Sequence, residues 1–128
     1  MSLKKIITSD KAPAALGPYS TAVAFKNLVF TSGQLGINPQ TNEVAGESVE
    51  AQTRQALMNL AGILEDAGTS IDNVLKTTVF LRDMNDFAAM NAIYAEFFKE
   101  NCPARSAVQV AKLPRGLAFE IEAIAALP

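Results

Sequence analysis

The chain has 128 residues, of which 49% are hydrophobic and 19% are charged, and its formal net charge at pH 7 is −2. This length and composition are typical of one compact domain with a substantial core, so we expect residues 1–128 to form a single domain. The sequence contains no histidine, which excludes histidine-based catalytic triads, histidine metal ligands and the most common general base. The acidic charge balance, without a run of basic residues, gives no electrostatic basis for binding nucleic acid.

The cysteine content and the hydropathy of the chain indicate its cellular compartment. The single cysteine, Cys102, cannot form an internal disulfide, which fits a reducing cytosol. No segment approaches the roughly 18 apolar residues that a membrane span requires, and the start of the chain lacks the apolar stretch of a signal peptide. We therefore expect a cytoplasmic protein with no membrane partner and, with so few soft ligands, no metal site.

The first 46 residues predict three strands and a long connection. Apolar and β-branched runs predict strands at 4–8, 20–25 and 28–32, and Lys26-Asn27 has the length of a tight hairpin turn between the last two. A loop covers 12–18. The connection at 33–46 contains the turn signal Asn38-Pro39-Gln40-Thr41-Asn42.

A first helix is predicted at 48–67, where apolar residues recur at three- and four-residue steps. Ser48 suits the N-cap position, and Gly68 suits the position after the last helical residue. The rest of the chain predicts strands at 74–81, 105–110 and 117–126, with a second helix at 83–100. The apolar face of that helix carries Phe87, Met90, Tyr94 and Phe97.

The element order β-β-β-α-β-α-β-β favours an α+β fold, a six-stranded mixed sheet with both helices on one face. The other face of the sheet then stays uncovered. In the last strand, that face carries either Leu117, Phe119, Ile121 and Ala123 or Ala118, Glu120, Glu122 and Ile124. A partly apolar bare face needs a partner, so we expect a homo-oligomer.

Arg105 and Glu120 are the candidate reactive pair. Small neighbours around Arg105 leave room for a ligand, and an arginine binds a planar carboxylate bidentately without losing its charge. A glutamate takes a proton from water when its surroundings tune its pKa. Together they predict a site where water reacts with a small carboxylic acid. The alternatives are a surface salt bridge for Arg105 and a solvated strand face for Glu120.

Two strand arrangements would place this pair differently. A direct hairpin of the last two strands, centred between Lys112 and Leu113, sets Arg105 opposite Glu120 on one face. If the last strand instead inserts between the third and fourth, the two residues meet only across a cleft or a subunit boundary.

Several weaker candidates accompany the pair. Asn91 lies one turn from Phe87 on the predicted helix, so it is either a buried amide satisfied by backbone or a group that positions the site. Tyr19 follows the rigid dipeptide Gly17-Pro18, which fixes its direction, although an aromatic that packs at the sheet edge explains it as well. Ser32-Gly33-Gln34 ends a strand in a glycine that lets the backbone approach another group closely, although a β-bulge explains it equally well.

Four ordered motifs resemble those of the RidA/YjgF family of enamine/imine deaminases. They are Ala-Leu-Gly-Pro-Tyr-Ser at 15–20, Phe-Thr-Ser-Gly-Gln-Leu-Gly at 30–36, Lys-Thr-Thr-Val-Phe-Leu-Arg-Asp-Met-Asn-Asp-Phe at 76–87, and Pro-Ala-Arg-Ser-Ala-Val-Gln-Val-Ala-Lys-Leu-Pro at 103–114, the last followed by Glu-Ile-Glu-Ala-Ile-Ala at 120–125. The resemblance implies a chorismate-mutase-like fold and a homotrimer with sites in the clefts between subunits. One departure is Ala107, where many bacterial members have a cysteine.

The resemblance also implies roles for individual residues and an activity that needs no cofactor. Arg105 would bind the substrate carboxylate and Glu120 would activate water. Tyr19, Ser32, Gly33 and Asn91 would line the cleft. The implied activity is the hydrolysis of 2-imino acids to 2-oxo acids and ammonia. These imino acids form by tautomerisation of the enamines that pyridoxal-phosphate dehydratases release from serine or threonine. The alternatives are a binding module for a 2-oxo acid or amino acid without turnover, and RNA cleavage, which the acidic charge and the lack of histidine disfavour.

Overall fold

One mixed sheet carries both helices on a single face. The computed structural model describes residues 3–128, and within them the strands are β1 (Lys5–Ile7), β2 (Ala22–Phe25), β3 (Leu28–Thr31), β4 (Gln34–Leu35), β5 (Val74–Leu81), β6 (Ala104–Gln109) and β7 (Phe119–Ala126). The helices are α1 (Val49–Ala67) and α2 (Phe87–Phe97). The predicted α+β class and element order are confirmed, and the two-residue strand β4 was missed because it is too short to show a pattern.

Local sequence signals set the bounds of α1. The Ser48 side chain accepts a hydrogen bond from the Ala51 amide at 3.1 Å, and Gly68 adopts a left-handed φ of 95° at the other end. Both predicted caps are confirmed. The prediction for the second helix was too long at both ends. Met84–Asp86 form a 3₁₀ turn, and the chain leaves helical geometry at Phe98, where ψ is 84°.

The strand order is β1-β2-β3-β7-β5-β6, with β4 paired to β7 beyond the end of β3. Only β5 and β6 run parallel, joined by a crossover through α2, and β7 lies antiparallel between β3 and β5. The direct-hairpin alternative is therefore wrong. The other alternative is confirmed: the last strand inserts between the third and fourth predicted strands, which are β3 and β5 of the structure. Arg105 lies opposite Thr77, whereas Glu120 lies opposite Phe80.

Apolar content explains this order. On its helix-facing side β7 buries Phe119, Ile121, Ala123 and Ala125, each no more than 4% exposed, against the apolar face of α1. β7 thus lies inside the sheet with four buried apolar side chains on one side, where burial contributes roughly 25 cal/mol per Å² of apolar surface. β6 carries arginine, serine and glutamine and lies at an edge, the usual place for a polar strand.

The opposite face of the sheet has no helix over it. From β7 it carries Glu120, Glu122 and Ile124, the second of the two sets that the sequence allowed. Phe30 of β3 is 40% exposed there, and Ile6 of β1 is 49% exposed. Neither helix in residues 3–128 has the length and hydropathy to cross a bilayer.

Buried amides tie the connection at 33–46 to α1. Gln52 donates to the Gly46 carbonyl at 2.9 Å and accepts from the Ala118 amide at 2.7 Å, so one side chain fixes both the loop and the approach to β7. Asn59 donates to the carbonyls of Leu35 and Ile37, on either side of the end of β4. These bonds satisfy polar backbone in the interior and hold β4 against β7.

Candidate functional site

Arg105 lies on the helix-facing side of the edge strand β6, half-buried beneath α2. Its Nη1 donates to the Asn91 Oδ1 at 2.7 Å. Its Cζ lies 4.6 Å from the centre of the Tyr94 ring and 5.3 Å from the centre of the Phe87 ring, both within cation–π range. Asn91 thus contacts the arginine, as the positioning interpretation of that residue required.

No carboxylate neutralises this arginine within residues 3–128. The ion pairs of that part of the chain are Lys11 with Glu65 and Asp66, and Arg54 with Glu96. The predicted alternative of a surface salt bridge for Arg105 is therefore not what the structure shows. A half-buried guanidinium that contacts only neutral groups keeps its full charge and has N–H donors left for an anion.

Glu120 lies on the other side of the sheet, partly buried at the start of β7. Burial raises the pKa of its carboxyl, and the nearby negative charge of Glu122 raises it further. Among the described residues, no hydrogen-bond donor or cation lies on this carboxylate. A carboxylate with a raised pKa and no partner is a better proton acceptor than an exposed one.

The Glu120 carboxylate occupies the space that a side chain at position 33 would fill, and this space is open because residue 33 is glycine. A Cβ added at Gly33 would lie 2.5 Å from the Glu120 Oε2 and 2.8 Å from its Cδ. The backbone of β4 continues this contact, because Leu35 pairs with Glu120. The backbone at Gly33 therefore does approach another group closely, as predicted, and within this chain that group is the Glu120 carboxylate.

Tyr19 and Ser32 belong to the same neighbourhood as Gly33. Tyr19 is 57% exposed and, with Gly33, lines an open cavity of about 320 Å³. Tyr19 and Ser32 line the adjoining cavity, where the Ser32 hydroxyl donates to the Ser20 carbonyl and ties the end of β3 to the residues that precede β2. Tyr19, Ser32, Gly33 and Glu120 thus form one group.

The predicted site residues therefore fall into two separate groups. Arg105 aligns with Thr77 of β5 and Glu120 aligns with Phe80, an odd number of residues away, so their side chains project from opposite faces of the sheet. Arg105 and Asn91 form one group beneath α2. Tyr19, Ser32, Gly33 and Glu120 form the other at the bare face. One chain does not bring the arginine and the glutamate together.

Two contributors to the site were missed from the sequence. Phe87 and Tyr94 were interpreted as apolar packing, whereas both rings also face the Arg105 guanidinium. The available signal was their spacing, since Phe87, Asn91 and Tyr94 recur at helical steps on one face. No group of histidine, cysteine or acidic side chains suited to a metal ion occurs within residues 3–128.

Comparison with known proteins identifies the family. A model of the endoribonuclease L-PSP family matches residues 9–127. The chain belongs to this family, also called RidA/YjgF. A RutC family protein of Pasteurella multocida is 54% identical over 96% of this chain and 98% of its own length. A mouse RidA/YjgF relative named 2-iminobutanoate/2-iminopropanoate deaminase is 50% identical over 96% of this chain and 91% of its own length.

Solved structures agree with the RidA/YjgF assignment. The crystal structure of TdcF from E. coli with bound serine superposes with a TM-score of 0.92 at 46% identity, covering 97% of this chain and 99% of that one. The α+β architecture of two helices on a mixed sheet is therefore shared with characterised family structures.

Proposed function

We propose that the protein hydrolyses reactive 2-imino acids and their enamine tautomers to 2-oxo acids and ammonia. The observation that carries the proposal is the half-buried Arg105, which contacts only neutral groups and so has its charge available for a substrate carboxylate. The name of the mouse relative supports the reaction type. The expected substrates are the imines that pyridoxal-phosphate dehydratases release from serine and threonine.

The proposed chemistry requires positioning and one base. Arg105 holds the carboxylate and thereby fixes the adjacent C2 carbon of the imine. Glu120 accepts a proton from water as the water oxygen attacks C2, which gives a tetrahedral carbinolamine. The same carboxyl gives this proton to the imine nitrogen, then takes the proton of the new C2 hydroxyl and passes it to the amine nitrogen, so that the C–N bond breaks, ammonia leaves and the C2 carbonyl forms. The overall balance is imine plus water to 2-oxo acid plus ammonia, without an oxidant or a cofactor.

The site we propose is shared between two copies of the chain. Arg105 and Glu120 project from opposite faces of the sheet, so a substrate that contacts both requires a second copy. One copy supplies Arg105 and Asn91, and its neighbour supplies Glu120, Gly33, Ser32 and Tyr19. A head-to-tail contact between two different surfaces of identical chains is heterologous, and it closes into a ring when its rotation divides a full turn. A homotrimer with three clefts meets this requirement and also covers the partly apolar bare face.

A coupled assay tests the activity. Threonine dehydratase and threonine generate the imine in situ, and semicarbazide traps whatever imine remains free. We expect the wild-type protein to lower the yield of trapped imine and to speed the appearance of 2-oxobutanoate. Arg105→Ala should abolish both effects while remaining folded and oligomeric. Full activity in Arg105→Ala, or no effect of the wild type on imines from several amino acids, would overturn the proposal.

A second candidate is a binding regulator that holds a small amino or oxo acid without turnover. The structure of TdcF with bound serine favours it, because that family member is observed with an amino acid ligand. This function needs Arg105 but not the base. Glu120→Gln therefore separates the two functions. A variant that binds the ligand and differs in no catalytic property from the wild type supports the regulator, whereas a variant that loses the turnover of the wild type supports the deaminase.

A further inference from the structure

The Arg105 guanidinium is held on three sides by groups that carry no charge. The Tyr94 and Phe87 rings lie 4.6 Å and 5.3 Å from its Cζ, and the Asn91 Oδ1 accepts one N–H at 2.7 Å. A carboxylate in any of these positions would fix the arginine equally well but would neutralise it. Aromatic faces attract the cation through their quadrupole and leave its charge intact for another anion.

Tyr94 is itself fixed to the strand pair that carries the arginine. Its hydroxyl is hydrogen-bonded to the Thr77 hydroxyl at 2.8 Å, and Thr77 is the residue of β5 directly alongside Arg105. The ring is 5% exposed and packs on Phe98 with centroids 4.6 Å apart. A change of the Tyr94 χ1 angle would move the hydroxyl away from Thr77 and break this bond, so the position of the Tyr94 ring beside the arginine is fixed.

Phe87 supplies the second, more accessible ring. It is the first residue of α2 and is partly buried, so its side chain depends less on core packing than Tyr94 does. The preceding turn is fixed by Asp83, whose side chain accepts from the Asn85 amide at 2.9 Å. The start of α2 therefore presents the Phe87 ring to the guanidinium in a defined place.

We propose that Phe87 and Tyr94 are positioning residues for carboxylate recognition, holding the Arg105 guanidinium in one plane while leaving its charge uncompensated. The inference rests on the proposed carboxylate-binding role of Arg105. Each ring acts through the arginine and does not touch the reacting atoms. Loss of a ring should therefore weaken ligand binding and raise KM, with kcat nearly unchanged.

The test compares Phe87→Leu with the conservative variant Phe87→Tyr. Calorimetry measures the Kd of 2-oxobutanoate and of its uncharged analogue 2-oxobutanamide, and the coupled assay gives kcat and KM. For Phe87→Leu we expect Kd and KM of the carboxylate ligands to rise about tenfold, with kcat within about twofold of wild type. Phe87→Tyr keeps a ring and should restore both values to within about twofold of wild type. Affinity for 2-oxobutanamide should stay the same in all three proteins.

The outcomes separate this inference from the proposed function. If Arg105→Ala abolishes 2-oxobutanoate binding while Phe87→Leu leaves Kd unchanged, the positioning role is wrong and the function stands. An equal loss for acid and amide, or a loss that Phe87→Tyr does not restore, shows that the ring acts only in packing and also overturns the inference. If Arg105→Ala binds 2-oxobutanoate normally, the proposed function fails first.

Discussion

Replacing Gly33 with alanine should reduce catalysis without unfolding the protein. The new methyl carbon would lie 2.5 Å from the Glu120 Oε2, 2.8 Å from Cδ and 3.1 Å from Cγ. Ordinary carbon–oxygen contact begins at about 3.4 Å, so the carboxylate has to move by about 1 Å. The colliding atoms are the end of a flexible side chain, and the backbone of Gly33 is not in the left-handed region, so the fold can accommodate the change.

The expected cost falls on the reaction. A misplacement of about 1 Å at a catalytic group lowers the rate on the order of 100-fold, equivalent to about 2.7 kcal/mol of transition-state stabilisation. We expect kcat to fall by roughly this factor, with KM nearly unchanged because Arg105 still holds the carboxylate. The coupled imine assay measures both constants, and thermal unfolding checks that the variant is folded.

The matched control is Gly17→Ala. Its added methyl group would meet only the Tyr19 ring, at the ordinary contact distance of 3.6 Å, so activity should stay within about twofold of wild type. If Gly33→Ala is folded and keeps full kcat, then the placement of the Glu120 carboxylate does not matter for turnover, and its assignment as the base is wrong.

Three further predictions follow from the same geometry. Reassembling Arg105→Ala with Glu120→Gln subunits in equal amounts should restore about a quarter of wild-type activity, because random mixing pairs the two intact residues in one cleft in four; no recovery would mean that each site uses one chain. Glu122→Gln should move the acidic limb of the kcat/KM profile to lower pH. The base works only when ionised, and the substitution removes the negative charge that helps raise the pKa of Glu120, so an unmoved limb contradicts this electrostatic account. Gln52→Leu leaves the buried Ala118 amide without its acceptor and should lower the free energy of unfolding by about 2 kcal/mol in urea titration; an unchanged midpoint would show that the bond contributes little.

Local patterns in the sequence were sufficient for α1 and for the β2–β3 hairpin. The apolar spacing of α1 and its two caps act within a few residues, and the turn at Lys26-Asn27 brings Phe25 opposite Leu28 as predicted. Both are short-range effects, so the chain around them hardly alters the outcome. The chemistry of the candidate residues was readable in the same way, since the charge of an arginine and the basicity of a glutamate belong to the residues themselves.

The sequence therefore determined the family, the order of the longer elements and the candidate residues to which we assign the chemistry. Only the tertiary structure decided that β7 lies between β3 and β5, that Arg105 and Glu120 face opposite ways, and that Phe87 and Tyr94 surround the arginine. Strand partners far apart in the chain are selected by how much apolar surface the whole sheet buries, and no local pattern contains that quantity. A shift of one residue in strand register reverses the face of every side chain, so the placement of the site depended on pairings that only the complete fold specifies.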